Sequence, residues 1–151
     1  MKVTVLSNAQ MAQMGFTHRF EVTYADLTTA STAHTQTLAA YTAGKGVTGA
    51  AFKLVTGFVG TSITNLTMKV GYDGTTDDDD GIIEAVELAT AGTEILYGDA
   101  TGVVFATKRT GYFPVDAGNY NAVFTATGAN VTALTAGEVH VYLNIVDLAT
   151  G

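Results

Sequence analysis

Four stretches of this chain alternate apolar and polar residues at period two, and that pattern restricts its fold more than any other feature. Residues 16–24 set Phe16, His18, Phe20, Val22 and Tyr24 against Thr17, Arg19, Glu21 and Thr23. Residues 65–72 set Leu66, Met68, Val70 and Tyr72 against Asn65, Thr67 and Lys69. Residues 119–127 set Tyr120, Ala122, Phe124 and Ala126 against Asn121, Val123, Thr125 and Thr127. Residues 138–147 set Val139, Val141, Leu143 and Ile145 against Glu138, His140, Tyr142 and Asn144. Successive side chains of a strand point to opposite faces, so each stretch predicts a strand with one buried and one wet face.

The rest of the chain supports an all-β reading. It holds 26 Thr, 22 Ala and 17 Gly but a single Pro among 151 residues. Thr is β-branched and suits the solvent face of a strand, whereas Gly weakens helix interiors and supplies turns. Further strands are expected at 2–6, 35–41, 50–59, 94–97 and 103–107. The stretch Ile82 to Ala89 reads either as a short strand or as two helical turns capped by Asp80. Turn signals at Gly44-Lys45-Gly46, Tyr72-Asp73-Gly74, Gly98-Asp99, Thr101-Gly102, Gly118-Asn119 and Gly128-Ala129-Asn130 divide these segments. The expectation is an antiparallel β-sandwich of about eight strands, jelly-roll-like. The alternative is an immunoglobulin-like sandwich, although the Trp and Cys pair of antibody domains are missing. No linker breaks the chain, so residues 16–151 read as one domain, and residues 1–15 as an N-terminal arm or an edge strand.

Several function classes lose their chemistry at this level. Without Cys there is no disulfide framework, thiolate metal site or Cys nucleophile. No apolar run reaches about 18 residues, so no membrane partner is expected. Met1-Lys2-Val3-Thr4-Val5 lacks the apolar core of a signal peptide. A net charge of −7 argues against a nucleic-acid partner. The serines, Ser7, Ser31 and Ser62, lie in no nucleophile motif. His18, His34 and His140 show neither H-x-H nor H-x₃-H spacing, so His18 reads as a hydrogen-bonded core residue and His140 as an interface residue. The expectation is a protein that is not an enzyme.

The charge is unevenly spread. Between Val70 and Thr107 lie nine carboxylates and no Lys or Arg, while the remainder carries seven basic and five acidic residues. Within the acidic stretch, Thr76 to Glu87 approximates a calcium loop. With Gly81 at position 6, Asp78 takes position 3, Asp80 position 5 and Glu87 position 12. Thr76 stands where the first carboxylate belongs, and Asp73, Asp77 and Asp79 are the candidate substitutes. The reading open beside Ca²⁺ is an exposed acidic turn. A second candidate is the loop of Lys108, Arg109, Tyr112 and Phe113, the chain's one adjacent basic pair followed by two aromatics. Arg and aromatics are enriched at interface centres, so it reads as a partner contact.

The chain resembles bacteriophage capsid decoration proteins, the cement or head-stabilising proteins of β-sandwich type. The likeness rests on Asn65-Leu66-Thr67-Met68-Lys69-Val70-Gly71-Tyr72-Asp73-Gly74 running into the Asp tract, on Gly118 to Leu134, and on Leu134-Thr135-Ala136-Gly137-Glu138-Val139-His140-Val141-Tyr142-Leu143. It implies a viral structural protein without catalysis, made in the host cytoplasm. Such a protein would sit as a homotrimer on the outer capsid surface of the virion and lock the major capsid protein, in some members through an N-terminal arm. The alternative is a receptor- or glycan-binding β-sandwich module of a fibre or carbohydrate-binding protein, with or without Ca²⁺.

Overall fold

The computed structural model of the chain describes residues 1–75, 77–89, 96–97 and 113–148. In chain order these form β1 (Lys2–Val5), helix α1 (Asn8–Met14), β2 (His18–Thr23), a 3₁₀ turn (Tyr24–Asp26), β3 (Ala33–Tyr41), β4 (Lys45–Gly60), β5 (Asn65–Tyr72), β6 (Asp78–Glu87), β7 (Leu96–Tyr97), β8 (Gly118–Thr127), a second 3₁₀ turn (Val131–Ala133) and β9 (Leu134–Asp147). The expected strand at 103–107 lies outside the described residues, as does part of the one at 94–97.

Two antiparallel sheets face each other, with strand orders β1-β2-β9-β4-β7 and β3-β8-β5-β6. The pairs β2/β9, β3/β8, β4/β7 and β5/β6 fall alternately in the first and second sheet. That is one long antiparallel ribbon rolled around a common core, which is the jelly roll. β1 is a ninth strand added outside β2. The immunoglobulin alternative is set aside by this strand order.

Period two explains why the sheets close. Phe20 and Val22 of β2, Phe52, Leu54 and Phe58 of β4, and Val139, Val141 and Leu143 of β9 are buried on one inner face. Leu66, Met68, Val70, Tyr120, Ala122 and Phe124 fill the other. Each large apolar side chain taken out of water contributes roughly 1.5–3 kcal/mol, so this double layer, rather than surface charge, holds the fold. β4 spans 16 residues and breaks register after Val47 and Leu54 and again near Val59. Such bulges bend and twist a strand and let a long one follow a curved sheet.

The ambiguous stretch at Ile82 is a strand. Met68 pairs with Val86 and Val70 with Ile83, so Ile82, Ile83 and Val86 reach the core across register shifts in the β5/β6 ladder. Two adjacent buried residues at such a shift look like helical periodicity in the sequence. Residues 1–15 form an edge strand followed by a helix. β1 pairs with β2 in the register Lys2 to Glu21 and Val5 to His18, and Leu6 is buried. Ser7 caps α1 reciprocally with Gln10, but no residue of α1 is buried.

Candidate functional site

The acidic stretch does not form the calcium loop. Asp78, Asp80 and Glu87 lie along β6, where about 3.3 Å per residue puts Asp78 and Glu87 far too distant to share one ion. Asp73 is turned to other work, and Thr76 lies outside the described residues. β6 is the edge of its sheet. A row of carboxylates there resists pairing with another strand, a common protection of exposed edges. Asp79 in addition meets Lys69 of β5 at 3.2 Å.

Asp73 ties the β5–β6 turn to β8. Its carboxylate accepts the Asn119 backbone N–H at 2.6 Å and the Asn121 side-chain amide at 2.9 Å, with the Asn119 side-chain amide at 3.2 and 3.3 Å. The Tyr41 hydroxyl donates to the Asp73 carbonyl. Asn121 is the buried polar residue of this knot, and Asp73 Oδ2 is the partner of its amide nitrogen. Burial would raise the Asp73 carboxyl, but hydrogen bonds from Asn121 and Asn119 outweigh it and hold the group below the usual aspartate range. A lowered native pKa gives stability that is present above the unfolded value of about 3.9 and disappears as pH falls through the native value. Asp73→Asn sets donors against donors and is expected to cost about 1–2 kcal/mol at neutral pH. Its stability should also depend less on pH below about 4 than that of the parent, which denaturant melts at pH 3 and pH 7 would read.

Of the second candidate loop, Phe113 alone lies among the described residues. Lys108, Arg109 and Tyr112 lie outside the described residues. Phe113 is exposed, at 40 %, beside Val115 at 90 %. The Gly44 N–H donates to the Pro114 carbonyl at 2.9 Å, and the Leu148 N–H to the Gly44 carbonyl at 3.0 Å. Three segments thus meet at one end of the roll, and Leu148 on the third is 61 % exposed. Asp116, which accepts the Thr75 N–H at 2.7 Å, and the paired positions Lys45 and Asp147 stand near it. An apolar centre with a charged rim is the usual anatomy of a protein-binding patch. Val115 and Leu148 carry no shared signal in the sequence, because they are 33 positions apart and the hydrogen bonds of Gly44 to Pro114 and Leu148 join their neighbourhoods.

A third constellation escaped the sequence reading. On the outer face of the first sheet, Glu21 of β2 stands opposite His140 of β9, and Glu138 lies two residues before His140. A ligand atom from each of the three lies within 4.8 Å of the others, the one such His/Asp/Glu set among the described residues. His140 Nε2 and Glu138 Oε1 are 2.7 Å apart. Arg19 Nη2 reaches Glu21 Oε1 at 2.6 Å and Lys2 Nζ reaches the same oxygen at 3.3 Å. Burial would raise the Glu21 carboxyl, but Lys2 and Arg19 overcome this and hold it below its ordinary range. The signal was Glu-x-His on one strand, which gains meaning only once the register with β2 is known.

His18 is half-buried. Its Nδ1 meets Thr17 Oγ1 at 2.7 Å, and its ring stacks on Phe20 with centroids 6.1 Å apart. Burial first, and the Lys45 charge second, push its pKa down. At the opposite end of the roll a shallow cavity of about 330 Å³ is lined by residues that include Tyr24, Leu27, Thr28, Val131, Thr132 and Leu134.

No protein-family model, curated protein or solved structure matches this chain.

Proposed function

We propose that this protein is a non-enzymatic virion structural protein, decorating and stabilising the outer surface of a phage capsid as a homotrimer. The observation that carries the reading is the apolar end of the roll, where Phe113, Val115 and Leu148 are exposed together at 40, 90 and 61 %. Apolar residues held in water on neighbouring segments gain by being covered, which favours a contact site at this end. The sequence resemblance names the partner: the major capsid protein. Copies arranged with capsid symmetry bind by avidity, so one modest patch per chain suffices. The charged edge of β6 fits the same role, because it keeps free copies from pairing strand to strand.

Co-sedimentation with capsids of the host virus tests this. The parent chain should pellet with particles and elute as a trimer by light scattering. The double variant Val115→Glu, Leu148→Glu should lose at least about tenfold in capsid affinity with an unchanged melt, since it buries charge without a partner. Equal binding by the double variant would reject the patch, and failure of the parent to pellet would reject decoration.

A second reading, a glycan-binding module, draws on the cavity beside Tyr24. Tyr24, 40 % exposed, lines this cavity together with Thr28 and Thr132, residue types that offer a stacking face and hydrogen bonds. Glycan-array binding lost in Tyr24→Ala would favour it over decoration.

A further inference from the structure

We propose that Glu21, Glu138 and His140 form a binding site for a divalent transition-metal ion of the zinc class. The sheet does the positioning. Glu138 and His140 are two residues apart on β9 and so share its outer face, and Glu21 is the register partner of His140 on β2. Three donors therefore stand together on adjacent rigid strands, with ligand atoms within 4.8 Å. Zinc bound at 2.0–2.2 Å needs donors about 3.5 Å apart. Glutamate has rotatable torsions enough to close that gap of about an ångström without moving the backbone.

The hydrogen-bond pattern leaves the ligand atoms accessible. Arg19 and Lys2 both use Glu21 Oε1, which leaves Oε2 of that carboxylate without an ion-pair partner among the described residues. The ion would replace one contact, that between His140 Nε2 and Glu138 Oε1. Two carboxylates balance its charge, and Arg19, held on the far oxygen of Glu21, orients that ligand as outer-shell partners do. Lys53 of β4, opposite His140, and Lys2 and Arg19 are the cations that oppose loading. An imidazole with two carboxylates selects zinc, cobalt or nickel over the all-oxygen sites of calcium and magnesium. The three side chains are 16–34 % exposed and face outward, so the remaining coordination positions open to solvent or to a side chain of another protein.

Titration calorimetry of the full chain with Zn²⁺ at pH 7.5, and with Co²⁺ for its visible spectrum, tests the site. One ion per chain is expected, with a melting temperature raised by roughly 5–10 °C at a hundredfold excess over Kd. His140→Gln should weaken binding more than about tenfold while keeping the parent melt in chelator, because the residue lies on the outer face. Glu138→Gln should do the same. No heat and no melting shift with Zn²⁺, Co²⁺ or Ni²⁺ at millimolar concentration would overturn the proposal. So would tight binding that survives both substitutions, which would place the ion elsewhere, such as along β6.

Discussion

Replacing Gly137 by Ala is expected to cost about 3–5 kcal/mol of folding stability, which lowers the melting temperature by about 10–15 °C for a chain of this length. Two causes add. Gly137 has φ +141°, a backbone conformation that residues with a Cβ rarely adopt and that costs on the order of 1–3 kcal/mol when forced. A Cβ built there would also overlap the Phe58 ring and stand 2.8 Å from its Cε1 atom. Phe58 is fully buried, so its ring has little free space to enter, and overpacking adds roughly 1–3 kcal/mol. A urea melt reads the sum. A loss below about 1 kcal/mol would mean that β9 relaxes at its start and that the register around Glu138 is not fixed there.

Phe124→Ala should be as costly, at about 3–5 kcal/mol, for the opposite reason. Phe124 of β8 has no exposed surface and meets Phe58 of the other sheet with ring centroids 6.2 Å apart and planes tilted by 43°. Truncation leaves a cavity between the sheets and removes an aromatic pair worth about 0.5–1.5 kcal/mol beyond its area. The two sites share Phe58 and must therefore couple. In a cycle built with the milder Phe124→Leu, the freed space lets the Phe58 ring retreat from the new Cβ at position 137. The double variant should then be more stable than the sum of singles by about 1 kcal/mol or more. Additivity within about 0.3 kcal/mol would show that backbone strain at Gly137, and not the ring contact, sets the cost.

The same residues mark how far a linear reading reaches. The alternation at 65–72 coincides with β5, because that strand lies mid-sheet between β8 and β6 and keeps one regular ladder with β8. β6 was harder. Its register shifts against β5 put Ile82 and Ile83 side by side in the core, and a bulge erases the period-two signal. The Asp tract looked like a metal loop because carboxylate spacing along the chain ignores whether the chain is extended. Once extended, Asp78, Asp80 and Glu87 cannot converge. Asp73 reads in the sequence as a substitute ion ligand, whereas its partners in the fold are the amides of Asn119 and Asn121.

The sequence by itself determined that this chain makes antiparallel strands and that its core needs neither disulfide nor charge. Those properties are local: side-chain shape sets strand propensity, and alternation sets which face is buried. Tertiary structure decided the rest. Rolling the ribbon set Glu21 beside His140, a pairing 119 positions distant in the chain, and brought Phe113, Val115 and Leu148 to one end. It also spent Asp73 on a buried amide instead of an ion. Cross-strand register and loop approach are long-range properties, fixed by the packing of two whole sheets, and no spacing along the chain encodes them.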